Sequence, residues 1–436
     1  MASLTTVPAG RFRLPPPESP SSLRALRHRQ FAIFWLTAIV SNSANFMQQL
    51  TVPFIVFELT DSNTWVGAVA FAALIPGVVL TPVSGVLADR LPRRTIIIVT
   101  LSVQTLVATG FLVLWLADAL TPWRIVILSL INGVVVGTQV AAWQSLVPLL
   151  VPRHDLLAAV RLNSAGFTAS RALGPMVGAG LLAAIGPASV FFANAATFVL
   201  LLAVVFRLRP RQAPAASAER LATVFRSGFA YVRARGSMLL AVGTGFMIAF
   251  FGMSLVQIAA GLAKEDFGVG KSGLAGLVTA TGVGSVLSSI VIISGGDAFR
   301  RSRMALGGLV IYGIGPLVIV STTNYVVGLA GFFVLGAAHV AVAIALNTAL
   351  QIQVAEEMRG RVISIYMMGV IGGLPVGAFV GGRLGDLVGL RTVYVGAGIS
   401  LLTYSLLATL VFDRLGALDD EQREPVPPTP TAEAAA

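Results

Sequence analysis

Gly85-Val-Leu-Ala-Asp89-Arg90-Leu-Pro92-Arg93-Arg94-Thr95 is a short charged hinge between two long apolar runs, residues 65–88 and 95–117. Each run meets the roughly 20-residue length that crosses a bilayer core. An Asp and three arginines do not lie in lipid, so the hinge is interfacial and reads as a tight cytoplasmic turn between two membrane spans.

Composition extends this to the whole chain. Of 436 residues, 56% are hydrophobic and 11% charged, against about 25% charged in soluble domains. The net charge of +11 would suit a nucleic acid if the basic residues clustered on a folded polar face with aromatics between them. They sit instead between apolar runs, so no nucleic-acid partner is expected. Without Cys there is no disulfide framework or thiol nucleophile, and no metal site or cofactor is expected. The N-terminus, with Arg11, Arg13 and Pro15 to Pro17, lacks the apolar core of a secretory signal.

Apolar runs predict twelve spans at 31–57, 65–88, 95–117, 122–148, 156–183, 187–206, 237–262, 272–295, 304–322, 325–351, 360–382 and 389–412. They must be helices, because lipid offers the backbone no hydrogen-bond partner. The longest loop divides them into two sets of six. The predicted fold is an all-α membrane protein, with twelve transmembrane helices in two pseudo-symmetric six-helix bundles, 23–206 and 237–412. Residues 1–22 and 413–436 read as disordered tails, and 207–236 as a cytoplasmic linker. In that linker Leu221, Val224, Phe225, Phe229 and Val232 share one helical face beside Arg220, Arg226 and Arg233, as in a helix lying on an anionic leaflet or a solvated linker helix. With the N-terminus inside, 23 of the 30 Lys and Arg fall in inside segments, which places both termini in the cytoplasm.

The hinge resembles the loop signature of the major facilitator superfamily, Gly-x-Leu-Ala-Asp-Arg-x-Gly-Arg-(Arg/Lys). Gly85, Leu87, Ala88, Asp89, Arg90, Arg93 and Arg94 match, and Pro92 stands where the family has glycine. Leu26 to Phe31 and Glu58 to Ser62 are similar to the branch of enterobactin exporters and macrolide efflux pumps, and the resemblance covers roughly residues 23–412. It implies that Asp89 meets the backbone around Met358 to Arg361, where Gly360 permits close approach, when the cytoplasmic side closes. It also implies that Arg93 pairs with an acid at the end of the fourth and fifth spans, where Asp155 is available. Ser170-Arg-Ala-Leu-Gly174-Pro175-Met-Val-Gly178-Ala179 resembles the antiporter motif of the fifth span, and a kinked, closely packed span suits an exporter's rocking interface. Gly133 replaces the arginine usual on the fourth span. Asp89 to Arg93 recurs as Asp297 to Arg301, and Gly174-Pro175 loosely as Leu374-Pro375-x-Gly377, as expected for repeated bundles.

Arg171, about fifteen residues into the fifth span, is costly in a membrane and should face a cavity or a partner. It reads either as the holder of a substrate acid or as a bridge between helices. Asn42, Asn45 and Gln49 form one polar stripe on the first span, and Gln139 and Trp143 share a face of the fourth. Gln257, His339, Asn347 and Gln351 lie on the seventh and tenth spans. Spans one, four, seven and ten line the central cavity in the superfamily, so these residues are candidate substrate contacts or interhelical hydrogen bonds. Glu58, Asp89 and His339 are the proton-coupling candidates, although a neutral packed side chain is the safer reading of His339.

These readings imply a multi-pass cell-membrane transporter, monomeric, whose partners are protons, the bilayer and a small-molecule substrate. Its expected role is export of amphipathic small molecules, drug-, antibiotic- or siderophore-like, by proton antiport and alternating access. The alternatives are uptake of a nutrient or siderophore, or a sensor that binds without translocating. No catalytic constellation or phosphate loop argues for an enzyme or a primary pump.

Overall fold

The computed structural model describes residues 22–208, 221–295 and 300–410. The predicted tails and Asp297 lie almost wholly outside these residues.

A short 3-10 turn, Ser22–Arg27, leads into six helices: α1 (Arg29–Thr60), α2 (Asn63–Arg90), α3 (Arg93–Leu116), α4 (Pro122–Leu146), α5 (Leu156–Ala184) and α6 (Pro187–Arg207). The linker helix α7 (Leu221–Arg233) precedes the second half. There the first span is segmented into α8 (Gly236–Ile248), a π-helical stretch Ala249–Met253, α9 (Ser254–Gln257) and α10 (Ala259–Glu265). The chain continues as α11 (Lys271–Gly295), α12 (Arg301–Val320), α13 (Tyr325–Gln353), α14 (Glu356–Val388) and α15 (Leu390–Leu410). Ten spans among the described residues are long and apolar enough to cross a membrane. α1 and α5 have the length but carry Asn42, Asn45, Gln48 and Gln49, and Arg161 and Arg171. They pack on one another and complete two sets of six.

Two predicted boundaries move, with consequences for the gate. α2 runs through Asp89 and Arg90, leaving Leu91 and Pro92 as the turn. Proline drives the residue before it out of the helical region, and Leu91 is extended at φ −115° and ψ 151°. α14 begins at Glu356 and runs to Val388 rather than spanning 360–382, so Gly360 lies inside the helix instead of offering free N–H groups at its start.

Each bundle is drawn together by a stripe of small residues at four-residue spacing. Cβ atoms on Gly166, Gly174 and Gly178 of α5 would lie 2.9, 2.6 and 2.8 Å from Trp35 or Ile39, Ser43 and Met47 of α1. The Ser170 hydroxyl, in the same stripe, donates to the Ile39 carbonyl at 3.0 Å. In the second half Gly373 and Gly377 of α14 press on the backbones of Phe246 and Phe250, and Gly381 meets Ile258. The weak echo between Gly174-Pro175 and Leu374-Pro375-x-Gly377 is therefore a structural equivalence: the fifth helix of each half lies against the first. The same geometry corrects the expected role of Gly174 and Gly178, whose face binds α1 within one bundle and does not form the surface between bundles. Gly133, where the family's arginine is absent, lies 2.5 Å by its Cβ position from the Ala73 carbonyl of α2, which leaves no room for an arginine stem.

Candidate functional site

The two halves meet through α2 against α14 and α5 against α11. At the end away from the chain termini, here the far end, α2 begins at Asn63 with Ser62 as its N-cap, yet no side chain of its own bundle caps it. Asp386, from the last turns of α14, does so from the other half. Its carboxylate accepts from Ser62 Oγ at 2.5 Å and from the backbone N–H groups of Asn63 at 2.7 Å and Thr64 at 3.0 Å. Those are unpaired donors of a helix start, where the positive end of the helix dipole favours an anion. Lys264 of α10 adds a second link, reaching Asp61 Oδ1 at 2.5 Å. Asp61, in the left-handed region at φ 45°, ends α1, and it holds the Lys264 ammonium above its ordinary value of 10.5. Below these links the backbones touch: a Cβ on Gly67 would lie 2.5 Å from the Ala378 carbonyl, and the Phe71 and Phe379 rings stand 5.7 Å apart.

Contact between α2 and α14 loosens toward the terminal end. A Cβ on Gly372 would meet Val78 at 3.4 Å, whereas on Gly77, Gly85 or Gly360 it would meet nothing within 4 Å. Gly85 of the hinge and Gly360 thus have open space where the resemblance implies a close approach in the closed state. The Asp89 side chain, central to that expectation, lies outside the described side chains.

The rest of the hinge holds its own bundle together. Arg94 donates through Nε to the Val205 carbonyl at 3.1 Å and through Nη2 to that of Phe206, closing the C-terminal end of α6. Arg90 is exposed. Arg93 does not pair with Asp155. The position of Asp155, at the start of α5, is instead shared by His28 at 2.7 Å and His154 at 3.3 Å. The first turn of α1 lies beside the α4–α5 junction, and His28 reaches the carboxylate before Arg93 can.

The His28 hydrogen bond is the main reason the Asp155 carboxyl sits below its ordinary value of 3.8; burial opposes the shift, and the charges of His154, His28 and Arg24 add to it. A carboxyl depressed on folding stabilises above its unfolded value and loses that contribution as pH falls through the folded one. His28→Ala is expected to lower the thermal midpoint at pH 7. The gap from wild type should close as pH drops below about 3.8. An unchanged midpoint at pH 7 would remove the pair from the stability of the junction.

The predicted cavity residues divide into two groups. Gln139 accepts from the Thr100 hydroxyl at 2.9 Å, Trp143 packs on Phe34 with ring centroids 5.0 Å apart, and Asn347 accepts from Gln351. These contacts stay within their own bundles and serve helix packing. Asn42, Asn45, Gln49 and Gln257 form no hydrogen bond among the described residues and are half-buried or exposed. Glu58 is exposed at the far end of α1. Pro175 lies within an uninterrupted α5.

Arg171 is accessible although it lies deep in the body of the protein. On α1, Ile39, Ser43 and Met47 face α5, and Phe46 stands at the edge of that face with its ring 5.6 Å from Phe167 of α5. Asn42, Asn45 and Gln49 form the next stripe beyond Phe46, while Arg171 is one turn after Phe167. Helical spacing thus sets the polar stripe and Arg171 just beyond the Phe46–Phe167 pair, each on its own helix. From the other half, His339 of α13 lies close enough for the Arg171 charge to act on it. Its Nδ1 stands 3.5 Å from the hydroxyl of buried Tyr312, and the π-helical stretch presses Gly252 onto the Tyr312 ring. Such stretches shift the backbone ladder and recur at functional sites.

Sequence reasoning missed Asp386, Lys264 and Tyr312. Asp386 fell outside the predicted span, and its partners are 322 to 324 residues away in sequence. The linker helix also differs from the leaflet reading: its Val232 is buried, Ser227 accepts from Arg361 of α14 at 2.8 Å, and Gly228 lies against Ile365 and Arg361. Arg220 and the side chains of Leu221, Val224 and Phe225 lie outside the described residues, while Phe229 remains exposed.

Residues 20–435 match a family described as transmembrane secretion effector. An uncharacterised MFS-type transporter, YfiS, of Bacillus subtilis is 26% identical over 81% of this chain and 86% of its own length. The multidrug resistance protein MdtG of Enterobacter lignolyticus is 24% identical over 89% and 93%. Among solved structures, the nucleoside transporter NupG has a TM-score of 0.74 at 12% identity, over 88% of this chain and all of that one. A bacterial homologue of the lysosomal transporter Spinster, inward-facing and unoccupied, has a TM-score of 0.69 at 14% identity, over 92% of this chain and all of that one.

Proposed function

This chain belongs to the transmembrane secretion effector family of major facilitator transporters, and we propose that it exports amphipathic small molecules by proton antiport. The two six-helix bundles rock about their α2–α14 and α5–α11 contacts, exposing the central opening to one side at a time. The observation that carries this reading is the asymmetry of the α2–α14 seam, which is clasped by Asp386 and Lys264 at the far end and loose around Gly77, Gly85 and Gly360 at the other. A seam closed at one end only is what alternating access requires of each resting state. The arginine-rich segments at the loose end support a cytoplasmic placement for it, and so an inward-open state.

Export is favoured over uptake by the multidrug resistance relatives and by the antiporter-like stretch Ser170 to Ala179. Asp89 remains the gating candidate for the opposite state, in which the loose end closes on the start of α14. His339 and Glu58 remain candidates for the coupling proton.

The test is movement of fluorescent amphiphiles into inverted vesicles under an imposed pH gradient, with and without an uncoupler. Accumulation is expected in the wild type, abolished by the uncoupler and by Asp89→Asn; loss in His339→Ala would place the proton there. Binding without gradient-dependent movement across neutral, anionic and cationic probes overturns export and favours an importer or a sensor.

A further inference from the structure

We infer that Arg171 is the anion-holding residue of the central opening, with His339 facing it from the other bundle, and that the substrate is an amphipathic anion carrying a carboxylate or a similar acid group. This rests on the transporter reading and names the substrate class of that same site.

Arg171 carries the argument by what surrounds it. Among the described residues it makes no hydrogen bond or ion pair, and no carboxylate acts on it. The acids with described side chains lie at helix ends: Glu58 and Asp61 close α1, Asp118 follows α3, Asp155 precedes α5, Glu265 and Asp266 end α10, Glu356 starts α14 and Asp386 is near its finish. None stands at the depth of Arg171, midway along α5. A guanidinium held inside a membrane protein needs an anion or a dense set of carbonyls, and helix α5 uses its own carbonyls within its backbone ladder. If Arg171 bridged helices, its fork would close on an acceptor of α1 or α11. It remains accessible instead, one turn from Phe167, with Asn42, Asn45 and Gln49 just beyond Phe46 on α1.

The rest of the opening fits the remainder of such a molecule. Phe46 and Phe167 supply an apolar floor beside the guanidinium, and the amides of α1 can bind a polar group next to the acid. Across the opening, His339 Nδ1 stands 3.5 Å from the Tyr312 hydroxyl, and in the tautomer in which that hydroxyl donates, Nε2 carries the ring proton and is a second donor to an anion. Because Arg171 belongs to one bundle and His339 to the other, an anion between them touches both moving parts. That is where a substrate must sit to influence which end is closed.

The test uses full-length protein in detergent with no gradient and three dansyl-labelled probes on one alkyl chain: dansylaminoundecanoic acid, its methyl ester, and a trimethylammonium analogue. The acid is expected to bind at least about tenfold tighter than the ester, and the cation weaker than either. Arg171→Gln should remove the difference between acid and ester while leaving the ester's affinity unchanged. Arg171→Lys should retain part of it, and His339→Gln should weaken the acid by a smaller factor. Equal affinities of acid and ester in the wild type overturn the inference even if no variant folds, as does unchanged acid binding in Arg171→Gln. Charge-selective binding without gradient-driven movement would leave the anion site standing and remove export. Gradient-driven movement with no charge preference would do the reverse.

Discussion

Asp386→Ala is expected to raise the reactivity of a single thiol at Ala70→Cys toward a membrane-impermeant maleimide about five- to thirtyfold, with the reagent applied from the far side. The chain has no native Cys, so the readout has no background. Ala70 is buried, one turn further along α2 than Gly67, whose Cβ position meets the Ala378 carbonyl, and separation of α2 from α14 at the far end is expected to expose it. Removing the carboxylate leaves the Asn63 and Thr64 N–H groups and the Ser62 hydroxyl without their cap. Loss of an N-cap costs about 0.5–2 kcal/mol, and one to two kcal/mol shifts a two-state population about five- to thirtyfold. In an ordinary helix that cost falls on folding. Here cap and helix belong to different bundles, so it falls on the closed seam, and the population of the opened state rises.

The same seam contains an opposing contribution. Asn63 is buried between the halves, and its side-chain Oδ1 has no hydrogen-bond partner. A buried acceptor without a partner costs about 1–3 kcal/mol, comparable with what the cap contributes. The orphaned acceptor therefore offsets part of what the cap contributes, as suits a contact that must open in every cycle. Asp386→Asn, which keeps one acceptor oxygen but no charge, should give an intermediate rate. Unchanged thiol reactivity in Asp386→Ala would mean that backbone contact at Gly67 and Gly382 closes the seam by itself.

The helical membrane architecture was legible because hydropathy and the apolar length of a span are local properties, and α3, α4, α6 and α13 lie close to their predicted runs. The ends of α2 and α14 were not, because polar residues there are tolerated at the membrane boundary while hydropathy marks them as loop. That misplacement hid Asp386 and put Gly360 at a helix start it does not occupy. The small residues of α5 were legible as a close-packing stripe, but periodicity alone does not identify the partner helix, which proved to be α1. Arg93 was assigned to Asp155 by resemblance; it failed because His28, distant in the reading of the loop, is near in space. Arg171 was legible as costly in its span, facing a cavity or a partner. What the sequence left open between ligand contact and helix bridge is narrowed by its accessibility and by the absence of an acid at its depth among the described residues.

Gly174→Val is expected to abolish the folded transporter, whereas Gly180→Ala on the same helix should leave it intact. A Cβ on Gly174 would stand 2.6 Å from the Ser43 carbonyl oxygen and 2.7 Å from Phe46 Cβ, whereas on Gly180 it meets nothing within 4 Å. The first obstacle is backbone in the middle of α1, which a rotamer change does not relieve, so α1 and α5 must move apart. Separation would also break the Ser170 bond to Ile39 and the Trp35 indole bond to the Leu162 carbonyl at 2.8 Å. Overpacking a close contact costs about 1–3 kcal/mol, and more where backbone must shift, while a Gly-to-Ala change in an open helical position is worth up to about 1 kcal/mol in favour of the helix. Size-exclusion profiles and thermal midpoints of detergent-solubilised protein distinguish the cases. Gly377→Val should reproduce the loss, because the Phe250 backbone occupies the corresponding place in the second bundle. A folded Gly174→Val with a wild-type midpoint would show that α1 and α5 do not depend on their small-residue stripe. A failure of Gly377→Val alone would break the equivalence between the bundles.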